Sequence, residues 1–338
     1  MDRAGSFLRL SLARTGSLPS SDIQEPAHSA ENGILVSNSR TPQVAPLKPL
    51  KTRVLSTLAV APIFLGALFW NGGGTLFSGW PFALLVLAML VLALGEFYAG
   101  CRHAGHRPLG PAGLLAGGLS WILALPPVVG EAQELGFAAL TAVLIASLIV
   151  EALRGTRAPL KNLAPTWLGA VYVAGLMPYA VRLRTGPLAT HHPEWSPAAE
   201  WMQTVDAGAW AVLFVLLTTA AGDTGAYFVG RAWGRRKLAP EVSPGKTWEG
   251  AVGGYVLAIT LGTFVGLCIG LPAHVAILLT ITLGILGPLG DLSKSAMKRE
   301  LGIKDFGSLI PGHGGVLDRF DSLLFTAPAA YWILRFWP

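Results

Sequence analysis

Residues 291–321 read DLSKSAMKRELGIKDFGSLIPGHGGVLDRFD, the most polar stretch of a sequence that is otherwise mostly hydrocarbon. Asp291, Asp305, Asp318 and Asp321 supply negative charge, and Lys294, Lys298, Arg299, Lys304 and Arg319 supply positive charge. His313 sits between Gly312 and the pair Gly314-Gly315. Carboxylates can hold metal ions, cations can hold phosphates, and glycines let the backbone approach a ligand closely. A charged loop between two membrane helices would explain the polarity. It would not explain both signs mixed around a Gly-His-Gly-Gly turn, and polar clusters at membrane depth are functional by default.

The surrounding chain sets that context. Of 338 residues, 52% are hydrophobic and 13% charged, and the mean hydropathy is +0.53. A soluble domain of this size carries about twice that charged fraction. The composition is that of a polytopic membrane protein and excludes the soluble-enzyme classes. The net charge of +6 points to loops facing anionic lipid and the cytoplasm, with no nucleic-acid partner. Cys101 and Cys268 lie in or beside apolar runs without a second Cys or a suitably spaced His nearby, so neither a disulfide nor a zinc site is expected.

Working outward, apolar runs of about 17–24 residues recur from Val54 onward, each near the length that spans a bilayer core. They fall near 54–71, 80–99, 112–130, 135–153, 164–182, 208–229, 248–270, 272–290 and 319–336. The expected fold class is therefore an all-α, polytopic membrane protein with about nine transmembrane helices. Loop charges agree with that count. Basic groups (Lys48, Lys51, Arg53; Arg102, Arg107; Arg154, Arg157, Lys161; Arg231 to Lys246) alternate with neutral, acidic or mixed connections, such as the one carrying His191, His192 and Glu194. The positive-inside rule then puts the N-terminus and both motif-rich segments, 230–247 and 291–318, on the cytoplasmic face. Trp70, Trp80, Trp201, Trp332 and Trp337 sit near span ends, as an aromatic belt requires. Residues 1–50, rich in Ser, Pro, Asn and Gln, read as a disordered cytoplasmic tail, and residues 51–338 as the integral membrane domain. The arginines of the opening MDRAGSFLRLSLARTG slightly resemble a transit peptide, but Asp22, Glu25 and Glu31 follow, which favours a tail.

Three groups of residues are suited to chemistry. Asp223, within Gly222-Asp223-Thr224-Gly225, lies roughly 10 Å below the cytoplasmic end of its helix near Gly230. A carboxylate there needs a metal or a cationic partner on a neighbouring helix. Ser243-Pro244-Gly245-Lys246-Thr247 reads as a tight turn leading into a helix, where backbone amides and Lys246 can cradle phosphate, although the Walker A spacing is absent. Arg231 belongs to the dense basic patch before it, whose plainer role is attraction to the lipid surface. Glu249 reads as a capping charge in the first turn. If the eighth helix continues past Leu289, then Asp291, Ser295 and Lys298 share one face at i, i+4 and i+7. Asp318 and Asp321 share a face of the last span, with Arg319 beside them; the plainer reading is a pair of capping acids. Asp, Lys and Arg without a covalent nucleophile suit phosphoryl or nucleotidyl transfer. Glu96, inside the second span, has no assigned role.

Ser295-Ala296-Met297-Lys298-Arg299, then four residues, Lys304-Asp305, then residues 311–321, PGHGGVLDRFD, resemble the signature of the phosphatidate cytidylyltransferases, also called CDP-diacylglycerol synthases. Asp223-Thr224-Gly225-Ala226-Tyr227, Gly230-Arg231 and Ser243 to Gly250 resemble that family's second motif block; Gly245 departs from it, since many members carry a basic residue there. The resemblance covers about residues 53–337. It implies a helical membrane enzyme that joins CTP to phosphatidic acid, giving CDP-diacylglycerol and pyrophosphate for phospholipid biosynthesis. It also implies a Mg²⁺-dependent site, with a second cation left open, as is a homodimer, and a bacterial inner membrane as the location. Carried onto this chain, Asp223 and Asp291 become the metal ligands. Lys298, Arg299, His313, Asp318, Arg319 and Asp321 become catalytic candidates, and Ser243, Lys246, Thr247, Arg231, Ser295 and Lys304 substrate-binding ones. A CTP-dependent polyprenol or phytol kinase is the nearer rival, and a transporter or scaffold the more distant one.

This topology is open to a direct check. In a background lacking Cys101 and Cys268, single cysteines at positions 191 and 305 should be labelled by a membrane-impermeant reagent from opposite sides. Labelling of both from one side refutes the alternation of loops.

Overall fold

Long runs of Leu, Ala, Val and Ile dictate a chain of helices, some of which run through internal Gly and Pro. The computed structural model describes residues 50–70, 78–126, 128–185, 205–309 and 314–336. The expected tail, the connection carrying His191 and the residue His313 lie outside the described residues. In chain order the elements are α1 (Leu50–Phe69), α2 (Trp80–His103), α3 (Gly110–Ile122), α4 (Glu131–Leu153) and α5 (Pro159–Gly169). A π-helical turn (Ala170–Gly175) then leads to α6 (Tyr179–Thr185), α7 (Ala207–Trp233), β1 (Lys237–Ala239), β2 (Ser243–Thr247), α8 (Trp248–Cys268), α9 (Ala273–Glu300) and α10 (Asp321–Phe336).

Five of these helices, α2, α4, α7, α8 and α9, are long and apolar enough to cross a membrane. The other expected spans are helical but short or broken. The third stops at Ile122, ahead of Pro126. The fifth is divided between α5, the π turn and α6, with Pro165 and Pro178 along it. The last begins at Asp321 rather than 319 and contains Pro328. A proline removes one backbone donor and crowds the preceding turn; the chain is in turns at Pro126 and Pro178, whereas α5 and α10 run through Pro165 and Pro328.

Two further corrections concern the polar segments. The fold is not purely α: 237–247 is an antiparallel hairpin, pairing Lys237 with Thr247 and Ala239 with Ser243. Thr247 ends β2 and caps α8, its Oγ1 accepting the Gly250 N–H at 3.1 Å. The eighth expected span does not stop at residue 290, because α9 runs on through DLSKSAMKRE to Glu300. Nothing in those ten residues breaks a helix. The break comes at Gly302, with φ +67°. There Ile303 N–H donates to Lys298 O at 3.0 Å and Gly302 N–H to Arg299 O at 3.2 Å, a Schellman-type ending that needs a left-handed residue.

Side-chain placement is that of a chain dissolved in lipid. Helix α4 exposes Leu135, Phe137, Ile145, Leu148, Ile149 and Leu153, and buries Ser147 and Glu151. Buried Glu151 accepts Asn162 Nδ2 at 2.6 Å and Thr156 Oγ1 at 2.7 Å. The apolar core lies between α2, α6, α7, α9 and α10, around Phe82, Leu90, Phe97, Phe214, Leu279 and Leu324. At the N-terminal end of α7, the fully buried Arg184 pairs with Asp206 at 2.9 Å and donates to Leu68 O at 2.8 Å, tying α1, α6 and α7 together. The C-terminal end of α7, roughly 40 Å away, leads into the hairpin.

Helices α7 and α8 meet along a glycine seam. A Cβ added to Gly225 would come 2.9 Å from Gly253 O, and one added to Gly254 would come 2.5 Å from Gly222 O. Close approach of this kind is how helices associate when no hydrophobic force separates them from solvent lipid. Gly254→Leu should therefore destabilise the protein by about 1–3 kcal/mol, the scale of overpacking, seen as a lower melting temperature in detergent. Gly245→Ala, with nothing within 4 Å of the new Cβ, should leave that temperature unchanged.

Candidate active site

Four segments converge at the C-terminal ends of α7 and α9: α7 itself, the hairpin, the charged half of α9, and the turn leading into α10. Lys246, on β2, places Nζ 2.7 Å from Asp291 Oδ2 and 3.2 Å from Pro288 O. Arg299, on the last turn of α9, donates to Val242 O at 3.2 Å and so also holds the hairpin against α9. At the other end of the hairpin, Glu249 accepts the backbone N–H groups of Arg235 at 3.0 Å and Arg236 at 3.2 Å. That carboxylate anchors the start of the hairpin and is not a simple charge in the first turn of α8.

The centre of the cluster is Lys294, which the sequence-based candidates did not include. Its side chain is only 5% exposed. Nζ lies 3.3 Å from Asp291 Oδ1 and 3.8 Å from Asp318 Oδ1, donates to Asp318 O at 3.1 Å, and is hydrogen-bonded to Asp321 Oδ2. One turn on, Lys298 Nζ sits 3.0 Å from Asp318 Oδ1. The other oxygen of Asp318 accepts Phe306 N–H at 2.9 Å and Gly315 N–H at 3.3 Å. The carboxyl groups of Asp291 and Asp321 thus meet on the same ammonium group. Asp223 stays accessible on α7, within electrostatic range of Asp291, Asp321, Lys246 and Lys294. Among the described residues it has no hydrogen-bond or ion-pair partner.

The structure therefore brings together Lys246, Asp291, Lys298, Asp318 and Asp321, with Asp223 close by. The expected face of α9 is real, although Ser295 on it is buried. Asp318 belongs to the turn before α10 rather than to the helix, yet it meets Lys294 alongside Asp321. Thr247 spends its hydroxyl on capping α8, and Ser243 begins β2, partly buried. Arg231 is exposed and bonded to Tyr227 Oη at 2.8 Å, one turn back. Arg319 is exposed on the turn before α10, and Lys304 lies exposed beyond the end of α9, outside the cluster. The signal that could have found Lys294 is its i+3 spacing from Asp291 on a helix that continues to Glu300.

The described residues hold no group of three acidic, imidazole or thiol side chains close enough to form a closed metal cage. Mg²⁺ needs no such cage, since it commonly takes one or two carboxylates together with water and substrate phosphates. The unpartnered carboxylate of Asp223 and the hard oxygens of Asp291 fit that requirement.

A match to the cytidylyltransferase family model runs over residues 51–337. The chain belongs to that family. Similar proteins include the phosphatidate cytidylyltransferase of Bacillus subtilis, 49% identical over 125 residues, which are 36% of this chain and 46% of that protein. The phosphatidate cytidylyltransferase of Haemophilus influenzae is 47% identical over 132 residues, covering 36% of this chain and 44% of that protein. An uncharacterized Escherichia coli protein, YnbB, is 45% identical over 133 residues, covering 39% of this chain and 45% of that protein. The chain thus spans a little under half the length of the curated relatives it matches.

The hub role of Lys294 predicts a coupling. Lys294→Met leaves carboxylates facing one another in a desolvated site, which should destabilise the protein by about 3–5 kcal/mol. Removing one of those charges as well, in Lys294→Met/Asp321→Asn, should recover at least ~1 kcal/mol of that loss. Thermal denaturation of the three proteins in detergent measures the effect, and Lys304→Met serves as the silent surface control.

Proposed function

We propose that this protein transfers the cytidylyl group of CTP to phosphatidic acid, giving CDP-diacylglycerol and pyrophosphate. The observation that carries the reading is the chain of alternating charges Lys246, Asp291, Lys294, Asp318 and Lys298, assembled from the hairpin, α9 and the turn before α10. Family membership and the named activity of the similar proteins support it.

In this reading the lipid phosphate, already anionic near neutral pH, attacks the α-phosphorus of CTP. The bond from that phosphorus to the bridging oxygen breaks, and pyrophosphate leaves with the electron pair. No general base is needed. Lys246 and Lys298 exchange their carboxylate partners for phosphate oxygens, so the cations are already placed before the nucleotide arrives. Arg299 and Arg319 add positive charge at the rim, and His313 is assigned to a phosphate oxygen. Asp223 and Asp291 would hold Mg²⁺, which supplies neutralisation of the charge developing on the phosphates. Lys294 keeps Asp291, Asp318 and Asp321 in register. The reading extends to about nine spans with both motif segments cytoplasmic. Their meeting at one end of α7 and α9 supports the shared face. The exposed apolar surface of α8, which packs against α7 and α9, leaves the lipid substrate in the bilayer beside the site.

With purified protein, phosphatidic acid and Mg²⁺, label in the cytosine ring of CTP should enter the lipid fraction, and γ-phosphate label should leave as pyrophosphate. A lipid kinase would move the γ-label into lipid, and that result overturns the assignment. Asp223→Asn and Asp291→Asn should each lower the transfer rate by on the order of 10²-fold, the scale of losing a main electrostatic stabiliser. Full activity in both variants refutes their role as metal ligands.

A further inference from the structure

Glu96 is an acid that the mechanism above does not use. It lies on α2, seven residues before the helix ends at His103, so roughly 10 Å inside that end. An ionised carboxylate at such depth needs an answer to its charge. Among the described residues no cation pairs with it. Its two oxygens instead accept consecutive backbone N–H groups 220 and 221 residues away: Oε1 takes Val316 N–H at 3.0 Å and Oε2 takes Leu317 N–H at 3.0 Å. Two glycines make room for it, because a Cβ at Gly307 or at Gly315 would collide with the carboxylate. Phe97, the next residue of α2, stacks on Phe306 with ring centroids 5.8 Å apart. Phe306 and Gly315 are the residues whose N–H groups hold Asp318 Oδ2.

The backbone before α10 is thus folded around two carboxylates. Asp318 faces the lysines, and Glu96 grips the opposite side of the same turn. We propose that Glu96 is a positioning residue: it fixes the Val316–Leu317 backbone so that Asp318 is presented to Lys294 and Lys298. Ionised acceptors make stronger hydrogen bonds to backbone N–H than neutral ones, and a bidentate grip on successive amides fixes orientation as well as distance. An amide at this position offers one acceptor oxygen, and its NH₂ group opposes the second N–H. Gln is therefore a poor replacement despite its matched size.

The catalytic consequence rests on the cytidylyltransferase reading, whereas the grip itself does not, and the test separates them. Hydrogen–deuterium exchange on the detergent-purified full chain should show the Val316 and Leu317 amides exchanging at least tenfold faster in Glu96→Gln than in wild type. Peptides from α4 and α8 should be unchanged. Gly307→Ala, which keeps the Glu96 carboxylate but crowds it off the turn, should give the same local loss of protection, so the test survives if one variant folds poorly. In the transfer assay, both variants should shift the Mg²⁺ concentration for half-maximal activity upward by at least fivefold at equal amounts of folded protein. A merely structural role would lower the melting temperature and leave that midpoint in place. Unchanged exchange at 316 and 317 overturns the grip, whatever the activity. Faster exchange with an unchanged Mg²⁺ midpoint overturns the positioning role. A wild-type protein that transfers no cytidylyl group refutes the functional reading and leaves the exchange result to stand by itself.

Discussion

The arrangement of this site depends on one buried ammonium group. Lys294 is nearly inaccessible and touches three aspartates, from its own helix, from the turn before α10 and from the first residue of α10. Neither side of that arrangement is stable without the other. A desolvated ammonium is expensive, and carboxylates this close repel. Together they fix how the C-terminal half of α9 lies against α10. The contact is tight enough that a Cβ at Gly290 would come 2.8 Å from Asp321 O. Lys246 and Lys298 then attach the hairpin and the turn to the same set of acids. Among the described residues, Asp223 is the carboxylate the lysines leave without a partner, and in the proposed reading it is where Mg²⁺ would be held.

Polar pins of this kind carry structural weight because of the solvent. In lipid, apolar side chains gain little by leaving the surroundings for the protein interior, so packing and hydrogen bonds decide which helices meet. The inverted pattern of α4, leucines outward with Ser147 and Glu151 inward, shows the same logic. So does Arg184 at the far end, buried against Asp206 and the carbonyl of Leu68. Between the pins, the α7–α8 seam has glycine where a side chain would hold the helices apart. One end of the bundle is thereby held by Arg184, and the other is left to the charged cluster, with its cations on α9 and the hairpin.

Much of this was legible in the sequence, and the parts that were not share a cause. The apolar runs located helices because burial in hydrocarbon imposes a length, and the i, i+4, i+7 spacing of Asp291, Ser295 and Lys298 placed them on one face because α9 continues to Glu300. The division of the fifth expected span was not legible because hydropathy averages over a window and does not register the backbone donor missing at Pro178, in the turn before α6. The hairpin was missed because three residues of β1 and five of β2 carry no period against the basic patch around them. Asp318 was placed in the wrong element, yet with the right partner in Asp321, because a turn and a helix can present two acids to the same lysine.

The sequence by itself determined that this is a membrane-embedded helical protein, that its acids and cations gather in two segments, and which family's motifs those segments carry. Composition, periodicity and spacing are local properties, and they are enough for that. Only the tertiary structure decided that Lys294 is the hub, that Glu249 serves the hairpin, and that Glu96 reaches a turn 220 residues away. These roles are set by which side chains meet once the helices pack, and nothing in the neighbouring sequence of Glu96 or Lys294 encodes the partner on the far segment.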